Sequence, residues 1–274
     1  MDLRARLARL DRTAAPEPAR ITGPACGPAE LGLAAGSGEA PWSRDLDLRL
    51  PPPRLPDLAG LLARSWDAAT SAEQLLLLDT ETTGLAGGTG TVAFLVGLAW
   101  WEGGRLRIRQ HFLPGPAHEA ALLTAVAAAA AERAVVVSFN GASFDWPLLR
   151  TRALLNRQAD PLAGLAGWDL LVPARRLWGR TLPDCRQQTL ESAVCGMRRG
   201  DGDISGDRIP QTWFDFLAGG DPAPLRRVLT HNARDMEGMA RLLCAVAAAA
   251  RGLEAPPATE GSDWRLSWAL GRTC

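Results

Sequence analysis

The chain has 274 residues and is 47% hydrophobic, enough to close a sizeable core around one α/β domain or two modest ones, and too apolar for a disordered chain. Its 30 acidic residues balance its 30 basic ones, so any nucleic-acid partner must be held by local charge. Every basic residue is Arg and there is no Tyr, which excludes the phosphate-loop, Schiff-base and general-base lysines of kinase, P-loop and pyridoxal mechanisms.

Residues 1–12 carry Arg4, Arg6, Arg9 and Arg12 without an apolar stretch, so they read as a short amphipathic helix and not as a secretory signal. Nine of the 20 prolines fall within the first 56 residues, and residues 1–73 are expected to form an extended, irregular arm. Residues 74–251 carry the periodic structure. Leu75 to Leu78 is a buried strand, 91–101 is another, and in 105–113 Leu106, Ile108 and Phe112 alternate with arginines as in a strand with one wet face. Gly103-Gly104 turns the last two into a hairpin. A helix over 117–133, a strand over 134–139, a helix over 145–156 and a short strand near 165–168 follow. Helices near 170–178, 187–195 and 223–250 complete the series, which predicts an α/β fold with a mixed sheet covered by helices. Residues 252–274 form a tail.

The five cysteines include no CxxC pair, and no run approaches the apolar length of a membrane span, so a reducing cytoplasm and no membrane partner are expected.

Three places carry chemistry. Asp79-Thr80-Glu81 ends the first strand of the periodic region, and side chains two apart on a strand share a side. Such a pair is common by chance, and an exposed strand end would hold it equally well. Asn140-Gly-Ala-Ser-Phe-Asp145 joins a strand to a helix, with Pro147 in the first turn and Asp145 where the helix dipole favours a carboxylate. An ordinary capping Asp fits there too. His231 and Asp235 stand one turn apart on the long helix, and Asp235 shares the apolar stripe of Val228, Met239 and Leu242. An inward carboxylate requires a cation, and there is no Lys to supply one.

The motifs D-x-E, N-G-x-x-F-D and H-x-x-x-D, in this order, resemble the DEDD exonuclease superfamily, which has the ribonuclease H-like fold. More narrowly, the chain resembles the bacterial YprB-type ribonuclease H-like proteins, relatives of the exonuclease domain of family B DNA polymerases. The residues that carry this are Asp79-Thr-Glu-Thr-Thr-Gly-Leu85, Asn140 to Asp145, Trp168-Asp-Leu-Leu171, Asp203-Ile-Ser-Gly-Asp-Arg-Ile-Pro210 and His231-Asn-Ala-Arg-Asp235. The resemblance spans about residues 74–250. It implies a metal-dependent 3′–5′ exonuclease in which Asp79, Glu81, Asp145 and Asp235 hold two divalent ions, Mg²⁺ or Mn²⁺, and His231 orients or deprotonates the attacking water. Hard oxygen ligands suit those ions. His231 lies four residues before Asp235, where the tyrosine subclass of this superfamily has Tyr; the histidine subclass places its His five before.

The expected partner is the 3′ end of single-stranded DNA or RNA. Six arginines between 175 and 199, among them Arg175, Arg176 and Arg186, face only Asp184 and Glu191, which suits a phosphate backbone or simply a solvated helical face. Thr82, Asn140 and Phe144 are the candidate contacts to the terminal nucleotide. Phe144 offers a stacking face for a base, although a core position is the commoner role for such a residue. Asp169 is expected to cap a helix, and Gly87 to Thr91 to form a loop beside the site. Endonucleolytic, ribonuclease H-like cleavage would use the same fold and metal site; the alternative of another class is a nucleic-acid-binding or scaffolding module whose arm and tail contact partners, with a weak or vestigial metal site.

Overall fold

The computed structural model describes residues 24, 26–55, 70–84, 90–200 and 202–254. The expected helix at 1–12, most of the tail and the heart of the glycine-rich loop lie outside these residues. The described residues form one six-stranded sheet in the order β1-β4-β3-β2-β5-β6: β1 (Trp42–Leu48), β2 (Leu75–Thr82), β3 (Ala93–Glu102), β4 (Arg105–Phe112), β5 (Val135–Ser138) and β6 (Ala166–Asp169). β1, β4, β3 and β2 pair antiparallel, while β2, β5 and β6 are parallel. The expected mixed sheet is borne out.

Six α-helices accompany it among the described residues: α1 (Glu119–Ala130), α2 (Asp145–Leu155), α3 (Leu171–Trp178), α4 (Gln187–Ala193), α5 (Ile209–Leu217) and α6 (Ala223–Glu254). Leu76, Leu78, Phe94, Val96 and Leu98 pack with α1 and α2 in one core, while Leu75, Leu77, Leu106 and Ile108 pack with α3 and α6 in the other. α6 enters both, through Val228 and Leu229 in the first and Met236 and Met239 in the second.

Two elements correct the sequence reading. Residues 42–48, assigned above to an irregular arm, form the edge strand β1. Asp45 and Asp47 there lie across from Arg109 and Arg107, so the wet face of β4 is neutralised by a partner strand with the opposite charge pattern. Residues 209–217, left without an element, form α5. Pro210 sits in its first turn, where a missing N–H costs little, and Trp213 stacks on Phe94 with ring centroids 5.6 Å apart.

Candidate active site

The candidate residues gather beyond the carboxyl ends of the parallel strands, the usual ligand-binding edge of an open α/β sheet. At the end of β2, Asp79 and Glu81 project to the side from which α6 approaches, while Thr80 points the other way and donates its hydroxyl to Asp145 Oδ1. The register with β3 slips between Glu81 and Thr82, and such an irregularity re-aims the strand end. Thr82 Oγ1 then bonds to Gly84 O at 2.9 Å, which closes the turn just past the acids.

The junction from β5 to α2 brings Asp145 in from the opposite side. Asn140 adopts φ 63°, a left-handed conformation that Asn tolerates better than most residues. A Cβ on Gly141 would lie 2.5 Å from Ser138 Oγ and 2.8 Å from Asp145 Oδ2, so only glycine lets the chain pass this close to the carboxylate. Asp169, at the end of β6, accepts from the N–H of Leu171 at 3.0 Å, at the start of α3, as a cap would. It also accepts from Asn140 N at 2.7 Å and Ala142 N at 3.2 Å, so it pins the loop that carries Asp145 and is not a fifth member of the acid group.

From α6, His231 Nε2 lies 3.2 Å from Asp235 Oδ2, and its Nδ1 lies 2.8 Å from Asp203 Oδ1. A carboxylate can only accept, which favours a proton on Nδ1 in that bond, and Nε2 is turned to the acids. Glu81, His231 and Asp235 offer ligand atoms within 4.8 Å of one another. Asp79 and Asp145 stand beside this group, and the carboxylates repel. Burial first, then Glu81, Asp235 and Asp145, push Asp79 well above the usual carboxylate range. Burial followed by Asp235 and Asp145 does the same to Glu81, and burial pushes Asp145 up to about 6. A crowded, partly buried set of acids that destabilise one another's charge, with an imidazole nitrogen among them, fits a hard divalent cation.

Arg199 supplies part of the missing positive charge. It sits between Glu191, which it grips through two bonds of 2.9 and 3.0 Å, Asp203 at 3.2 Å and Asp235. From the sequence, this arginine belongs to the cluster that suits a phosphate backbone or a solvated helical face; it is instead turned inward, because the 1%-exposed Glu191 requires a cation. Burial alone would lower the pKa of Arg199, and Glu191 and Asp235 raise it instead. At Asp203, burial works against the charge, but His231 and Arg199 together hold it below the usual range.

The expected substrate residues fall at two cavities. Thr82 and Phe144 line one of about 190 Å³ together with Asp79, Asp145 and Leu148. Phe144 is 53% exposed, so it does not take the core position commoner for such a residue: it precedes α2 at its N-cap position and faces outward beside the acids. Asn140, Arg175 and Arg186 line a second cavity of about 580 Å³, with Arg180 and Asp184. Arg176 is exposed on α3 and is not part of that lining.

Four contributors were missed in the sequence. Asp203 stood in a quoted motif without a role, Arg199 was counted with the wrong group, and Thr80 was passed over between its acidic neighbours. Asn232 is fully buried and donates from Nδ2 to Asp79 Oδ2 at 2.8 Å. Its signal was present, since it lies four residues after Val228 and four before Met236, a polar residue inside an apolar stripe.

Residues 76–247 match the model of the RNase H superfamily. The chain is 38% identical over 163 residues to YprB, an uncharacterized protein of Bacillus subtilis (strain 168); the match covers 59% of this chain and 39% of that protein. Among solved structures, the family B DNA polymerase of Pyrobaculum calidifontis aligns over 65% of this chain and 24% of its own, with 16% identity and a TM-score of 0.48. E. coli exonuclease I in complex with a dT13 oligonucleotide aligns over 58% and 42%, with 19% identity and a TM-score of 0.34. With more than half of its length matched by the family model, the chain belongs to the RNase H superfamily.

Proposed function

We propose that this protein is a metal-dependent nuclease that removes nucleotides from the 3′ end of single-stranded DNA or RNA. The observation that carries this reading is the meeting of Asp79, Glu81, Asp145, His231 and Asp235 at one sheet edge from three separate stretches of chain. The four acids are the proposed holders of two Mg²⁺ or Mn²⁺ ions. Bound there, such ions lower the pKa of water and offset the charge of a scissile phosphate.

The chain's own groups divide the remaining work. His231, fixed through Nδ1 by Asp203, presents Nε2 as the acceptor for the proton of the attacking water. Phe144 stacks on the terminal base, a contact that every base can make and that favours no sequence. Thr82 and Asn140 flank the terminal nucleotide, while Arg175 and Arg186 in the larger cavity, with Arg176 nearby, hold phosphates further along the strand.

The test is incubation of 5′-labelled single-stranded DNA and RNA with Mg²⁺ or Mn²⁺, comparing wild type with Asp79→Asn. The expected result is a ladder shortened from the 3′ end and lost in the variant. Absence of metal-dependent cleavage of either nucleic acid overturns the proposal, and cleavage of circular substrates would make the enzyme an endonuclease.

A further inference from the structure

Four residues in register form a row across one face of the sheet: Arg44 on β1 opposite Gln110 on β4, Gln110 opposite Gly97 on β3, and Gly97 opposite Asp79 on β2. The row has a gap, because Gly97 has no side chain. Asn232 of α6 fills that gap. A Cβ on Gly97 would lie 2.4 Å from Asn232 Oδ1 and 3.0 Å from both Cγ and Nδ2, so the amide lies directly on the strand and bridges Gln110 to Asp79.

The bonds run in one direction. Arg44 Nε donates to Gln110 Oε1 at 2.6 Å, and Arg44 Nη2 donates to Leu229 O at 2.9 Å. Gln110 Nε2 donates to Leu229 O at 2.9 Å and to Asn232 Oδ1 at 2.7 Å. Asn232 Nδ2 donates to Asp79 Oδ2 at 2.8 Å.

A guanidinium has donors only, and that fixes everything downstream. Gln110 must show its oxygen to Arg44, so its NH₂ faces Asn232 and the carbonyl of Leu229. Asn232 must therefore show its oxygen to Gln110, which leaves its NH₂ for the carboxylate. Gln110 and Asn232 are both fully buried, so neither amide can turn over and find water in compensation.

We infer that Asn232 is a positioning residue for Asp79, and that the sense of its amide is imposed from the sheet edge by Arg44 through Gln110. Asn232 holds Oδ2 of Asp79 and leaves Oδ1 to the acid group. The inference rests on the proposal that Asp79 is a metal ligand, and it extends the site to a strand whose sequence carries none of the three motifs.

The test is calorimetric titration of the full chain with MnCl₂, alongside urea unfolding in EDTA. Asn232→Leu keeps the shape but cannot donate, and is expected to weaken Mn²⁺ binding about tenfold or more, the usual scale for losing a group that orients a ligand. Gln110→Glu guards against a folding defect in that variant. Its carboxylate still accepts from Arg44 but cannot donate to Asn232, so the Asn232 amide turns its oxygen to Asp79 and the same loss follows with every acid intact. The added negative charge would by itself strengthen cation binding, so the expected change has the opposite sign to a simple charge effect. Wild-type Mn²⁺ affinity in a folded Gln110→Glu protein overturns the inference. Cleavage of nucleic acid is scored separately: Mn²⁺ binding that is weakened in both variants, with nothing cut by the wild type, removes the nuclease reading and upholds the positioning of Asp79.

Discussion

His231 and Asp203 meet at 2.8 Å, Nδ1 to Oδ1, across a separation of 28 residues. The bond fixes which imidazole nitrogen faces the acids, and it joins the motif on α6 to the stretch just before α5. Under the proposed nuclease activity, replacing Asp203 by Ala is expected to lower kcat on a single-stranded substrate about 10- to 100-fold with little change in KM. Asp203→Asn retains a neutral acceptor and should fall between that variant and the wild type. A shift confined to KM would place Asp203 in substrate binding instead.

The pairing of Glu191 with Arg199 is a matter of stability. Glu191→Ala leaves a largely buried guanidinium with two of its three acidic partners, and the expected loss in urea unfolding is about 3–5 kcal/mol. Gly238 gives an independent check, because a Cβ there would lie 2.0 Å from Glu191 Oε1. Gly238→Ala must displace the glutamate and is expected to cost about 1–3 kcal/mol, the range for overpacking. Unchanged midpoints in both variants would show that the pair is dispensable.

Metal removal should have a pH-dependent cost. Asp145 is pushed up to about 6 by burial, and Asp79 and Glu81 rise as well. An acid with a raised folded pKa is protonated in both states at low pH. It weakens the fold as pH rises through the ordinary carboxylate range towards 6, and above that it carries the full penalty. For Asp145 this is on the order of 3 kcal/mol. In EDTA, Asp145→Asn is therefore expected to be more stable than the wild type at pH 7.5 but not at pH 4. Mn²⁺ should raise the wild-type Tm at pH 7.5 more than at pH 5, where protons compete for the same oxygens. An equal gain at both values would contradict this account.

His111 titrates in the opposite sense. Burial, followed by Arg109, lowers its pKa to about 4, against an ordinary value of 6.5. As pH falls the unfolded chain takes up the proton first, so the fold loses stability between 6.5 and 4 and has all of it above 6.5. The full span is worth about 3 kcal/mol. His111→Leu should reduce the difference between urea midpoints measured at pH 7.5 and pH 4.5 by a large part of that amount.

Local signals made the central sheet and the acids legible in the sequence. Val135 to Val137 is a short, β-branched apolar run, and Leu106 and Ile108 alternate with arginines, so run length and composition place β5 and period places β4. Asp79, Glu81, Asp145 and Asp235 each sit where one element ends or one stripe turns inward. Strand β1 was obscured by the prolines around it, although Asp45-Leu46-Asp47-Leu48 repeats with period two and complements the arginines of β4. That complementarity joins strands far apart in the chain, and a reading of one segment at a time passes over it. Arg199 was misread for a similar reason: its partners Glu191, Asp203 and Asp235 are brought together only by tertiary structure.

Helix α6 joins both cores and carries His231, Asn232 and Asp235, and a ribosome makes it after every strand of the sheet. Until it emerges, Arg44 has no Leu229 carbonyl, 185 residues further on, and Asp79 has no amide to hold it. The sheet face formed by Leu77, Leu106 and Ile108 also waits for α6, with only α3 and α4 to close that core in its absence. A chain interrupted before residue 223 would therefore expose apolar sheet, a target for chaperones and proteases, and would not be a weakened version of the same fold.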